Sequence, residues 1–356
     1  MQTVTTQEEL GARVRQARLA RGQDQTALGR AADLDRTAIS KIESGARGVS
    51  ALELTRIATA LQLSVPDLVY VPTPAVLSQR APLTESASGQ EAAKFEAETA
   101  LDALLRDGEQ LRTSGHLKQG VDVGGVRWAS ADDALALAGR VRKGAGLGNK
   151  PIGPIADLCG LFGLWVSSVS ADVDGMSATP ESGFGVAIVG AKVSPGRRRA
   201  TAAHELGHHL SGDEYSYELS VSASHDERES LIELFAAELL LPREVCAARL
   251  AGADDQEGWT EMVRICAEYR VSWSLGLRTV RRAFPGMTTL RFDTTPVDAD
   301  FLAIHGAKPL PDLEPQTMAA AWVQACMAAV RAADVTPVRA AEMMRTGATA
   351  AELQTR

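Results

Sequence analysis

His204 and His208 stand four positions apart in the stretch RRRATAAHELGHHL over 197–210, and Glu205 directly follows the first of them. On a helix that spacing stacks the two imidazoles on one face, where two histidines must be to share one zinc ion. Glu205 then lies one position round, near enough to hydrogen-bond a water on the metal without entering its inner shell, which is the place of a general base. Ala200, Ala203, Gly207 and Leu210 form a packing stripe along the same segment, so the pattern predicts a helix pressed against a neighbour. A glycine inside a helix costs about 1 kcal/mol relative to alanine, so Gly207 implies an element packed close behind the histidine-bearing turn. His209 falls off the ligand face, towards either the outer surroundings of the site or solvent. Stray histidines on a surface helix are the bland alternative; the helical context and the strand candidate before it count against that.

A hydrolytic zinc site takes three protein ligands and keeps one position for water. The segment HDERESLIELFAAELLLP over 225–242 begins acidic and becomes apolar on every side, the pattern of a buried helix. A carboxylate facing into such a helix needs a cation or a hydrogen-bond partner. Glu229 and Glu233 lie four apart on one face, so one can bind the metal while the other orients a histidine from behind. Glu229 is taken as the ligand and Glu233 as its support, with Glu227 and His225 as alternatives. Asp226 and Glu227 also suit a capping or solvated role at the helix start.

With 356 residues, 45% of them apolar and 23% charged, the chain has the composition of a soluble globular protein of two or three units. No apolar run reaches the roughly 18 to 20 residues of a membrane span, and the start MQTVTTQEELGARVRQARLARG lacks the apolar core of a signal peptide, so a cytoplasmic location without membrane partners is expected. Cys159, Cys246, Cys266 and Cys326 form no CxxC pair and read as reduced, mostly buried thiols. Residues 1–70 carry nine basic against eight acidic side chains, the remainder 28 against 37. That balance argues against a broad nucleic-acid coat while permitting one small DNA-reading face.

Such a face is legible near the N-terminus. Short helices joined by tight turns run through TQEELGARVRQARLARG, DQTALGRAADL, DRTAISKIESG and SALELTRIATALQL. In the third, Ala38, Ile39 and Ile42 are expected to point inward against Leu28 and Ala31, leaving Arg36, Thr37, Ser40 and Lys41 outside. Those side chains donate to base edges and phosphates, as a recognition helix does in the major groove. Gln25, at the start of the preceding helix, sits where its side chain and backbone N–H groups can grip a phosphate. A helical protein-interaction bundle fits the pattern alone about equally well. The run LGARVRQARLARGQDQTALGRAADLDRTAISKIESGARGVSALELTRIATALQLSVPDLV, however, resembles the Xre/Cro type of helix-turn-helix domain over its whole length. The resemblance implies a five-helix bundle that binds a double-stranded operator. Asp35 departs from it, an acid where that family carries a neutral helix cap; Asp caps well but puts negative charge near phosphate.

The stretch VPTPAVLSQRAPLTESASGQ then reads as a linker. A helix follows with Phe95, Leu101, Leu104 and Leu105 as a partial stripe, serving either a dimer contact or, the reading favoured, the first layer of the next unit. Beyond it come a helix in 131–143, the turn KGAGLGNK, a helix near IGPIADLCGLFG, and two strand candidates, LWVSSV and FGVAIVG. GAGLG follows a helix and lacks the Lys-Ser/Thr of a phosphate loop, so it is read as an interhelical turn. Arg197, Arg198 and Arg199 stand at the N-terminal end of the histidine helix, where the dipole disfavours positive charge; they read as solvated or as a contact for an acidic partner. Helices with Met262, Ile265, Cys266 and Tyr269, then Leu275, Leu277 and Val280, follow, and a tail with Met318, Trp322, Cys326 and Val330 in line serves packing, dimerisation or sensing.

GRRRATAAHELGHHL followed by ERESLIELFAAELLLP is similar to the ImmA/IrrE family of metallopeptidases over approximately 130–285. That family has a zincin-like fold and includes proteases that cleave repressors in phage induction and in the radiation response. Position by position, the resemblance implies His204 and His208 as ligands, Glu205 as catalytic acid/base and Glu229 as third ligand, with FGVAIVG as an edge strand that pairs with an extended peptide substrate. The chain departs where members carry Asn or Asp at the position of Glu233 and an acidic residue at that of Leu231. Tyr215, Tyr217 and His225 are the candidates for stabilising the developing oxyanion.

The expected architecture is mainly α, with α+β character in the peptidase part: an Xre/Cro-type bundle over 1–72, a linker and connecting helix over 73–129, a zincin-like domain with a small sheet and an HExxH helix over 130–285, and a helical region over 286–356. The expected function is a stress- or prophage-responsive transcriptional regulator with a zinc-dependent endopeptidase, manganese being the other candidate metal, that cleaves a repressor, an antitoxin-like protein or itself. The alternative is a transcription factor whose peptidase-like part senses an acyl-CoA-type ligand without proteolysis.

Overall fold

The computed structural model describes residues 3–71, 76–78, 87–124, 128–180, 184–211, 222–284, 292 and 294–354. Five helices open the chain: α1 (Gln7–Ala20), α2 (Gln25–Ala31), α3 (Arg36–Glu43), α4 (Ala51–Ala60) and α5 (Val65–Val69). Their starts are set by side-chain caps, Thr6, Asp24, Asp35 and Ser50 each accepting a first-turn backbone N–H. Val14, Ala17, Leu28, Ile39, Ile42, Ile57 and Leu61 form their shared core. Ala31 is exposed and Ala32 is buried in its stead, because α2 turns the neighbouring position inward.

The stretch read as a linker is not wholly irregular, since it supplies a strand, β1 (Val76–Ser78). After it, α6 (Ala87–Thr113) ties two cores together: Phe95 packs with the N-terminal bundle, whereas Leu101, Leu104 and Leu105 enter a second, larger core. Asp67 at the end of the bundle reinforces the junction, its carboxylate paired with Arg106 of α6 and its carbonyl accepting from Arg13 at 2.6 Å.

Among the described residues, the second core is built on a four-stranded sheet in the order β1, β3 (Gly175–Ala178), β4 (Gly185–Gly190), β2 (Leu164–Val169). β3 is antiparallel to both β1 and β4, and β2 runs parallel to β4. FGVAIVG is therefore an interior strand, not the edge expected from the sequence; the edges are β1 and β2. Every residue of β4 is buried, as in a strand covered on both faces. The sheet is flanked by α6 and by the histidine-bearing helix α9 (Pro195–Leu210); α8 (Ile155–Leu161) packs on β2 and α9, and α7 (Ala131–Gly144) precedes it. Between α7 and α8 the chain turns through Gly146 and Gly148, both at positive φ.

α10 (Ser222–Leu240) lies along α9, followed by α11 (Arg243–Arg249), α12 (Asp255–Tyr269), α13 (Trp273–Ala283), α14 (Asp298–His305), α15 (Ala320–Arg331) and α16 (Pro337–Met344). The C-terminal helices share the core of the sheet. Trp322 is fully buried, its ring 5.6 Å from that of Trp165 on β2 and its indole N–H donating to the Met343 carbonyl. Among the described residues no helix is long and apolar enough to cross a membrane.

Candidate metal centre and DNA-facing helix

α9 is buried over Arg198–His208 except for Ala200, so the turn that carries the histidines lies inside the molecule. Gly207 is what lets α10 approach: a Cβ there would stand 2.8 Å from Ile232 Cγ2 and 3.1 Å from Phe235 Cδ1. That contact sets α10 against the histidine face and delivers Glu229 to it. The Nε2 atoms of His204 and His208 are 3.0 Å apart, and the Glu229 carboxylate oxygens lie 3.2 Å from the first and 3.4 Å from the second. One ligand atom from each of the three residues falls within a 4.8 Å group.

These separations suit a divalent ion. Zinc bonds of about 2.0 to 2.2 Å in a tetrahedral arrangement place neighbouring ligand atoms roughly 3.3 Å apart. Two imidazole Nε2 atoms facing one another with a carboxylate across from both form a nitrogen and oxygen donor set directed at one point. Burial lowers the His208 pKa against the pull of Glu205 and Glu229, favouring the neutral imidazole that a cation requires.

Glu205 is fully buried. Its Oε2 accepts from the Ser177 hydroxyl on β3 at 2.6 Å, while its Oε1 is buried with no hydrogen-bond partner among the described residues. A buried carboxylate oxygen without a donor is costly unless a bound water completes it. Sequence reading missed Ser177 because β3 is only four residues long and GMSA carries no alternating pattern. It missed Arg228 as well, whose positive charge acts on both Glu229 and His208.

Glu233, expected to support the ligands and not to bind the metal itself, is exposed on α10 beside the inward-turned Ile232 and Phe235, and Glu229 is the carboxylate of the pair that joins the histidines. Several other expectations are corrected. Glu227 is exposed too, and the side chain of His225, like Tyr215 and Tyr217, lies outside the described residues. His209 neither faces solvent nor supports the ligands: its Nε2 lies 3.1 Å from the Phe162 carbonyl, and its ring fills the space over Gly163 and Gly185 at the head of β2 and β4. Arg198 and Arg199 are buried instead of solvated. Arg199 pairs with Asp312 and donates to the carbonyls of Gly153 and Ile152, and Arg198 pairs with Glu314, so the C-terminal segment neutralises the start of α9.

On the N-terminal bundle, Arg36, Thr37, Ser40 and Lys41 are exposed on α3. Asp35 caps that helix and also accepts from the Thr37 hydroxyl, and these bonds hold its carboxyl below the usual range, so it stays ionised. Gln25 does not reach outward as expected: its amide nitrogen donates to Glu43 at 2.9 Å, pinning α2 to α3. Glu43 also takes Arg18 at 2.6 Å; burial pushes its carboxyl up, and the Arg18 and Gln25 hydrogen bonds more than offset this.

Residues 9–69 match the model of a helix-turn-helix domain, and residues 166–275 match that of an IrrE N-terminal-like domain. The chain joins a helix-turn-helix to an ImmA/IrrE-type domain. No curated protein and no solved structure matches it. The ImmA/IrrE-type match spans β2 to the start of α13 and so contains both histidines, Glu205, Ser177 and Glu229. It makes the domain metallopeptidase-like. β1, α6, α7 and the C-terminal helices lie outside it.

Proposed function

We propose that the chain is a DNA-binding regulator whose ImmA/IrrE-type domain is a metal-dependent endopeptidase, acting on a repressor- or antitoxin-like protein in a stress or prophage response. The observation that carries this reading is the convergence of His204, His208 and Glu229 beside a buried Glu205 that already has one oxygen held and the other unpartnered.

In this reading His204 and His208 hold the ion through Nε2 and Glu229 through its carboxylate, with zinc the first candidate and manganese the second. When bound, such an ion polarises a peptide carbonyl and makes water more acidic. Glu205 takes the proton as the water oxygen attacks the carbonyl carbon, then returns it to the departing nitrogen as the C–N bond breaks. Ser177 keeps the carboxylate from rotating by holding Oε2. On the bundle, Arg36, Ser40 and Lys41 face the operator, with Thr37 partly committed to Asp35 and the backbone at Gln25 near a phosphate.

Glu205→Gln tests the proposal. Cleavage of a co-expressed repressor substrate is lost while operator binding stays intact. Regulation in cells that is unaltered by Glu205→Gln would support the non-proteolytic sensor instead.

A further inference from the structure

Among the described residues, the ImmA/IrrE-type match includes strands β2, β3 and β4, so β3 is one of the two edges of the matched region's own sheet. A bare edge strand presents unpaired N–H and C=O groups to any extended segment. Here that edge is closed by residues from outside the match, the interdomain strand Val76–Ser78. The pairing is antiparallel, with Val76 opposite Ser177, Leu77 opposite Met176 and Ser78 opposite Gly175.

Ser177 is the residue whose hydroxyl bonds Glu205. The backbone of β1 therefore runs one strand spacing, about 4.8 Å, from the residue that holds the buried acid. Three residues make a weak edge strand.

We propose that this chain's own interdomain strand, Val76–Ser78, holds the edge of β3 in the place an extended peptide would take, and so controls access to it. A peptide in trans must displace residues 76–78 to pair with β3, which ties access to the site to the segment joining the two domains. The inference rests on the peptidase reading of the same site, but its test needs neither turnover nor metal.

The test uses the full chain carrying Glu205→Gln, metal-free, with either its natural segment or residues 72–86 replaced by Gly and Ser at equal length. The probe is a fluorescent synthetic peptide of residues 72–82, and the control peptide has proline in place of Val76, Leu77 and Ser78. The replaced chain is expected to bind the probe at least about 10-fold more tightly than the natural chain, and neither binds the control. Equal binding by both chains, or no binding by the replaced chain, overturns the proposal.

Hydrogen exchange supplies a second reading that does not need the replaced chain. The amides of Gly175 and Ser177, which point to β1, are slow in the natural sequence and become fast in V76P/L77P/S78P, whereas those of Met176 and Ala178, which point to β4, stay slow; equal protection of Gly175 and Ser177 in both chains would also overturn it. A chain that binds the probe but hydrolyses nothing retains this inference and loses the proposed function. A chain that cleaves its substrate but fails both readings loses the inference alone.

Discussion

The Ser177 hydroxyl donates to Oε2 of Glu205 across 2.6 Å, linking a sheet strand to the helix that carries both histidines. Both residues are buried, so Ser177→Ala strips a buried carboxylate of its donor. Hydrogen bonds to charged groups contribute about 1.5 to 3 kcal/mol, and a loss of that order is expected in denaturant unfolding. Ser177→Thr restores most of it, and the loss shrinks in a Glu205→Gln background. Strictly additive effects in that double-mutant cycle would mean that the two side chains are uncoupled.

Gly207→Ala inserts a methyl group 2.8 Å from Ile232 Cγ2, which α10 must yield to accommodate. Overpacking of this kind costs about 1 to 3 kcal/mol, against the gain of up to about 1 kcal/mol that alanine brings in a helix interior. Because α10 carries Glu229, the variant is expected to bind divalent metal at least 10-fold more weakly. A Gly207→Ala chain that is more stable and binds metal as tightly would contradict the packing described.

The histidine spacing was legible because helix geometry alone decides which side chains share a face, and the requirement for a close neighbour at Gly207 followed from its helix cost. The exposed face of α3 was readable for the same reason. What sequence left hidden depends on contacts between distant segments. Ser177 sits on a strand too short to show periodicity, and the place of FGVAIVG inside the sheet depends on β1, which a Pro- and Ser-rich stretch conceals. Arg199 reads as a solvated charge until Asp312, more than a hundred residues later, arrives beside it. Glu233 reads as inward-facing only if the apolar pattern of α10 is assumed uniform around the helix.

Arg199 is fully buried, and burial lowers its pKa while Asp312 pulls it back up. Arg199→Met leaves the Asp312 carboxylate without its cation and is expected to destabilise the fold by about 3 to 5 kcal/mol. The double variant Arg199→Met/Asp312→Leu removes both charges and is expected to lose much less. Equal unfolding free energies for the single and double variants would show that the pair is not what holds the C-terminal segment to α9.

Burial also holds the His209 pKa below its ordinary value, with the Phe162 carbonyl pulling the other way. Its unfolded-state value is near 6.5, so at lower pH the unfolded chain binds a proton that the folded chain resists. Stability therefore falls as pH drops from 6.5 towards the folded value and is unaffected by this group above that window. His208 shifts in the same direction, so His209→Gln is expected to flatten the metal-free profile between pH 7.5 and 5.5 without abolishing its slope. Urea midpoints that fall equally in both chains would rule out a contribution from His209.

The metal centre itself is tested by counting ions per chain after purification and dialysis against trace zinc. One equivalent is expected in the natural chain and in Glu205→Gln, and less than about a tenth of that in His204→Ala, His208→Ala and Glu229→Ala. Full retention of zinc by the Glu229→Ala chain would contradict the three-ligand centre on which the account stands.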